Sequence, residues 1–262
     1  MMPISTGAGG LLGWKILQRT EARQIEILRR DAVVQRATNY LRDNPDKLAS
    51  PEVLVGDYRM LSAVLSAFGL EGDVANKAFI RKVLESDLGD RNALVNRLSD
   101  KRYLRMAEAL GFNASGGSSV DLGERLGEAF IQREYERRVG AGDEDLRLAL
   151  NARREIAAFA GSGKSAATQW YEVMGNPPLR KVFETALGFG PSFGKLPIER
   201  QNAEFIKAAQ RQFGTSSLSD LAEPAATERI IISFLARAQL TQSEGQNRYS
   251  AALALLARPG FV

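Results

Sequence analysis

Residues 158–165 read Ala-Phe-Ala-Gly-Ser-Gly-Lys-Ser and satisfy the loose form of a phosphate-binding loop. Such a loop works because a buried strand delivers the chain to a glycine-rich turn. Backbone amides then wrap the phosphates, and a helix N-terminus faces them. Here the preceding residues, Leu146 to Phe159, carry helical periodicity and no β-branched run. No later apolar strand ends in an aspartate that could hold magnesium. The expectation is a Gly-Ser break between two helices, with Lys164 exposed and no nucleotide bound.

Other chemistry is limited by what the chain lacks. It has no histidine and no cysteine, which closes Ser-His-Asp and Cys-His catalysis, thiolate zinc sites and disulfides. Glu124 and Glu128 stand four apart on one helical stretch, but a di-iron bundle also needs Glu-x-x-His partners. Asp143, Glu144 and Asp145 suit the first turn of a helix, where the macrodipole favours acids. Arg133, Arg137, Arg138, Arg147, Arg153 and Arg154 are interleaved with Glu134, Glu136, Asp145 and Glu155, the pattern of a salt-bridged solvated face rather than a nucleic-acid surface. We expect no enzyme activity, no metal and no cofactor. Trp170 and Tyr171 read either as core anchors or as aromatic anchors for a protein partner.

These residues sit on helices. At 262 residues, 44% hydrophobic and 25% charged, the chain can bury a proper core. A net charge of +4 is too weak for counterion-release binding to nucleic acid. No apolar run approaches the ~20 residues of a membrane span, and Met1 to Gly13 lacks the cationic start of a signal peptide. The expected location is the cytoplasm, with export as the alternative.

No stretch alternates apolar and polar residues between turn signals, so the fold class is all-α, a multi-helix array or bundle. Leu11 to Asp43 reads as one long N-terminal helix, with Ile27, Val34 and Leu41 seven apart and Val33 and Tyr40 likewise. Ser50-Pro51 starts a helix that runs to Phe68. Phe68-Gly69-Leu70, Leu110-Gly111-Phe112 and Leu187-Gly188-Phe189 are three helix stops of one kind, with glycine suited to the left-handed position. Residues 57–110 and about 176–237 align in pattern, which predicts two internally similar halves. The expected layout is a flexible arm at 1–10, an N-terminal helical half at 11–112, a linker at 113–119 and a C-terminal half at 120–262. One compact domain overall is the alternative. The last helix is expected from about Gln246 to Ala257.

Several runs carry a family resemblance. They are Asn-Pro-Asp-Lys-Leu-Ala-Ser-Pro-Glu-Val-Leu-Val-Gly-Asp-Tyr-Arg-Met-Leu at 44–61, Ala67 to Leu70, Ala78 to Ile80, Lys82 to Leu84, and Asn-Arg-Leu-Ser-Asp-Lys-Arg-Tyr at 96–103. The stretch Trp170 to Phe183 and the pair Leu187-Gly188 continue the pattern. The chain resembles the bacterial family called domain of unknown function 1217. The resemblance implies no assigned activity and no catalytic residues. It also implies that members are often encoded among flagellar genes and can carry more than one copy of the domain, so that the alternative of export would be export through the flagellar secretion route. The expected function is therefore a non-enzymatic helical structural or protein-interaction protein associated with the flagellum, with protein partners and an oligomeric state left open. The alternative is a cytoplasmic helical regulatory or ligand-binding module unrelated to motility.

Overall fold

A computed structural model describes residues 4–112 and 121–256, with 242–256 as backbone only. Among the described residues the chain is all-α, with three 3-10 turns between its helices and no strand. Its contacts gather into two units. The first takes Met1–Ile4 and Leu17–Gly142, the second Ser5–Ile16 and Asp143–Val262.

The first unit is built from most of α1 (Gly10–Arg29), then α2 (Ala32–Asp43), α3 (Pro51–Gly56), α4 (Tyr58–Phe68), α5 (Lys77–Leu84), α6 (Leu94–Arg97), α7 (Arg102–Leu110) and α8 (Leu122–Gly140). Both α2 and α4 lie along α8. Leu41, Leu61, Val64, Ile80, Met106 and Leu126 lead its core. The approach of α2 to α8 depends on Gly123. A Cβ there would stand 2.6 Å from the Leu41 carbonyl oxygen and 2.9 Å from Arg42 Cα, so the helices meet backbone to backbone. One turn on, Gly127 faces only the Thr38 side chain at 3.7 Å.

The second unit holds the first turns of α1 with α9 (Glu144–Ala157), α10 (Ala166–Met174), α11 (Pro177–Leu187), α12 (Ile198–Phe213), α13 (Leu218–Leu221) and α14 (Pro224–Leu256). Helices α9, α11 and α14 pack on one another, and α10 packs on α12. Trp14, Leu150, Trp170, Phe183, Phe205 and Phe234 are buried here.

Three expectations about the helices are corrected. The long N-terminal helix is two helices, because the Asp31 carboxylate accepts the amides of Val33 (2.9 Å) and Val34 (3.3 Å) and starts α2 afresh. The break shifts the register: Val34 and Leu41 are buried, whereas Ile27 is 61% and Val33 55% exposed. In the same way Asp57 caps Met60 N at 2.9 Å and separates α3 from α4. Ile4 N donates to the Arg138 carbonyl at 3.1 Å, and Gly10 already opens α1. The expected linker at 113–119 lies outside the described residues. The two contact units divide at Gly142–Asp143, with α8 in the first. Finally, the backbone of α14 continues helical through Gly245 to Leu256, where a separate last helix was expected.

The expected similarity of 57–110 and 176–237 is carried here only by one shared type of helix start. Asp57 accepts Met60 N, and Asn176 accepts Leu179 N. Their surroundings differ, since α4 packs on α8 and α2, and α11 packs on α9 and α14.

Candidate functional site

The loop that resembles a phosphate site is entered from a helix, α9, with no strand before it. Gly161 takes φ +68, and the Ser162 carbonyl accepts the Ser219 hydroxyl at 3.1 Å. Ser165 caps α10 by accepting Thr168 N at 3.3 Å. Lys164 Nζ stands 2.6 Å from Glu172 Oε1. Serine and lysine thus serve the turn between two helices.

The carboxylates and arginines are committed in the same way. Glu128 takes a two-point ion pair from Arg29 at 2.5–2.6 Å, which lowers its pKa below the usual range, and Glu124 is exposed. Asp143 accepts Leu146 N at 3.0 Å as the cap of α9, and Glu144 pairs with Arg147. Among the described residues, no three carboxylates stand close enough together to hold a metal ion. Arg137 and Arg138 both bind Glu134, at 2.6 and 2.7 Å. Arg154 meets Glu155 at 2.5 Å, and Arg153 lies over the Trp14 ring at 5.4 Å.

Arg133 extends toward the end of α4, where its guanidinium donates to the Phe68 carbonyl at 3.3 Å, and Arg102 donates to the Gly69 carbonyl. Two cations thus sit at a helix C-terminus, where the macrodipole is negative. The glycine stops lie at φ 71 for Gly69, 62 for Gly111 and 76 for Gly188. Leu70 N bonds Leu65 O at 2.8 Å and Phe189 N bonds Glu184 O at 2.9 Å, the six-to-one bond of the Schellman motif. Gly111 makes the simpler bond to Ala107 O at 3.0 Å.

The two aromatic candidates part company. Trp170 is fully buried, stacked on Phe205 at 5.1 Å and edge-on to Phe183 at 4.9 Å, with Nε1 donating to the Ser216 carbonyl at 2.9 Å. It is placed as a core residue, with its ring packed on Phe205 and Phe183 and its one polar atom used internally. Tyr171, its neighbour, is 44% exposed.

A surface that the sequence reading missed lies in the first unit. Val33, Arg36 and Tyr40 are spaced three and four apart, so they share one face of α2. Arg59, at the start of α4, lies over the Tyr40 ring at 4.1 Å and donates to the Arg36 carbonyl at 2.9 Å. The Tyr40 hydroxyl donates to Asp57 at 2.7 Å, a bond that raises the phenol's pKa. Tyr58, one residue before Arg59, is 64% exposed. The signal was present in the phrase Tyr-Arg-Met-Leu at 58–61. Met60 and Leu61 are fully buried, while Tyr58 and Arg59 face solvent. Arg59, pinned over Tyr40 and to the Arg36 carbonyl, with the exposed Tyr58 beside it, presents residue types that dominate protein interfaces.

Comparison with known proteins agrees with the fold. A crystal structure of a protein from Agrobacterium tumefaciens superposes with a TM-score of 0.75, covering 92% of this chain and 98% of that one at 23% identity. No curated protein matches the sequence. The family described as "Protein of unknown function (DUF1217)" matches residues 67–227 in one continuous stretch, from the last turn of α4 to the first turn of α14. The chain belongs to the DUF1217 family.

Proposed function

We propose that the protein is a non-enzymatic helical protein of the flagellum-associated class, acting through protein–protein contacts in the cytoplasm. The observation that carries this reading is Arg59 on α4, pinned over Tyr40 and to the Arg36 carbonyl of α2, with the exposed Tyr58 and Val33 nearby in sequence. The groups that chemistry would use, Lys164, Glu128, Asp143 and the arginines of α8, are engaged in caps and ion pairs instead. The flagellar association rests on the family, whose members are often encoded among flagellar genes. Among the described residues no helix is long and apolar enough to cross a membrane.

The test is affinity capture of the full chain from its native cell, beside a Tyr58→Ala/Arg59→Ala variant. Flagellar structural or export proteins are expected with the wild type and lost with the variant. Capture of cytosolic, non-motility partners alone, together with normal swimming of a deletion strain, would point to the regulatory-module reading.

A further inference from the structure

We propose that Arg59 is a preformed receptor for a carboxylate on a partner protein, an aspartate or glutamate with an aliphatic residue near it. The inference rests on the contact surface proposed above and names the chemistry of its partner. Arg59 is exposed, yet its guanidinium is fixed. It lies over the Tyr40 ring at 4.1 Å, and Nη2 donates to the Arg36 carbonyl at 2.9 Å. Neither contact supplies a negative charge. Asp57, the carboxylate nearest in sequence, is taken by the Tyr40 hydroxyl at 2.7 Å and the Met60 amide at 2.9 Å.

Other arginines of α1 and α2 take an acid where one is in reach: Arg29 pairs with Glu128, Arg30 with Glu26 and Arg42 with Asp43. Among the described residues no carboxylate stands within ion-pair distance of Arg59, or of Arg36, which is exposed on the same face of α2 as Tyr40. An arginine already ordered in the free protein has lost its side-chain freedom, so a carboxylate that joins it meets less of the usual entropy cost. Its remaining N–H groups suit the two parallel bonds of an arginine–carboxylate pair. Val33 adds the apolar requirement. It is 55% exposed and shares the face of α2 with Tyr40, seven residues on. At ~1.5 Å per residue the two lie about 10 Å apart along the axis. The occupant therefore carries an acid for Arg59 and an aliphatic side chain about 10 Å from it. Two arginines beside one ring fall short of the polybasic cluster that holds an anionic membrane.

The test selects random peptides displayed on phage against the immobilised full chain. The selected peptides are expected to be rich in aspartate or glutamate and to carry an aliphatic residue. Arg59→Gln should weaken their binding about tenfold or more. Arg59→Lys, which keeps the charge without the planar fork, should recover only part of it. Arg97→Gln, which removes the same charge from exposed α6 of this unit, should bind as the wild type does. Val33→Ala should erase the aliphatic preference and keep the acidic one. Peptides with no acidic bias overturn the proposal, as do acidic peptides that bind Arg59→Gln unchanged or are lost equally from Arg97→Gln. Arg59-dependent binding to phosphatidylserine vesicles in place of acidic peptides overturns it in favour of a lipid surface. Native-cell partners lost from the Tyr58→Ala/Arg59→Ala variant without an acidic bias among the peptides overturn this inference alone. Arg59-dependent acidic peptides beside capture of non-motility partners only support it and overturn the flagellar reading.

Discussion

Replacing Gly123 and Gly127 by alanine, one at a time, tests how α2 and α8 are held together. Both glycines sit inside α8, where alanine is favoured over glycine by ~1 kcal/mol of helix propensity. At Gly127 the new methyl would meet Thr38 at 3.7 Å, an ordinary contact, so the variant should gain about 0.5–1 kcal/mol. At Gly123 the methyl would lie 2.6 Å from the Leu41 oxygen and 2.9 Å from Arg42 Cα. The obstacle is backbone and cannot rotate away, so α2 must move off α8 and loosen Leu41, Leu122 and Leu126. Overpacking of this kind costs about 1–3 kcal/mol, and the upper end applies here. Against the propensity gain the net is a loss of about 2 kcal/mol. The assay is urea denaturation followed by far-UV circular dichroism, comparing midpoints at constant slope. Tryptophan fluorescence would miss the effect, because both tryptophans, Trp14 and Trp170, belong to the second unit. Two variants that shift the midpoint in the same direction would refute the packing argument.

The remaining predictions follow from single contacts. Trp170→Ala should cost about 3–5 kcal/mol as a large buried truncation, whereas Tyr171→Ala should stay within about 0.5 kcal/mol; thermal melts separate them. Lys164→Ala should change stability by less than about 1 kcal/mol, since its ion pair is exposed. ATP is expected to leave the melting temperature of the wild type unmoved, and a rise abolished by Lys164→Ala would restore the phosphate-site reading. Gly111→Ala should lose about 1 kcal/mol for its positive φ. Gly188→Ala should lose about the same, because the Arg237 guanidinium beside it ends an exposed, flexible side chain that can swing aside, and denaturation midpoints check that the two agree. The hydrogen bond from Arg138 lowers the pKa of Asp31 from 3.8 to about 2. Its stabilising contribution is therefore complete above the unfolded pKa of 3.8 and is lost as pH falls toward 2. Asp31→Asn, which can still cap, should flatten the midpoint-against-pH curve in that window, and an unchanged acid slope counts against the assignment.

What the sequence made legible was local. Gly69, Gly111 and Gly188 announce their turns because a left-handed residue with an apolar neighbour is a contiguous signal. Ser165, Asp143 and Asn176 announce helix starts for the same reason. The break at Asp31 was not legible, because the carboxylate is fixed by Arg138, 107 residues away. Without that partner the run reads as one helix. Trp170 could not be sorted from Tyr171 by spacing, since burial depends on Phe205 and the Ser216 carbonyl. Gly123 and Gly127 did leave a mark: two glycines four apart inside an otherwise helical stretch imply a close helix neighbour. The exposed Tyr58 and Arg59 needed the fold, because only Tyr40 beneath Arg59 distinguishes a fixed surface from a loose one.

The order in which the two units' segments are threaded matters during synthesis. Trp14 belongs to the second unit and donates to Glu228, 214 residues further on. Leaving the ribosome at about 5–20 residues per second, the chain exposes that indole for roughly 10–40 s before its acceptor exists. The first unit is complete once Gly142 has been made and can fold for the rest of that interval. The nascent protein therefore carries a finished unit alongside an unburied tryptophan, a natural substrate for a chaperone. Stalled chains ending near residue 180 should show protease-resistant α2 and α8 with Trp14 still open to quenchers; a quencher-shielded Trp14 at that length would contradict this order.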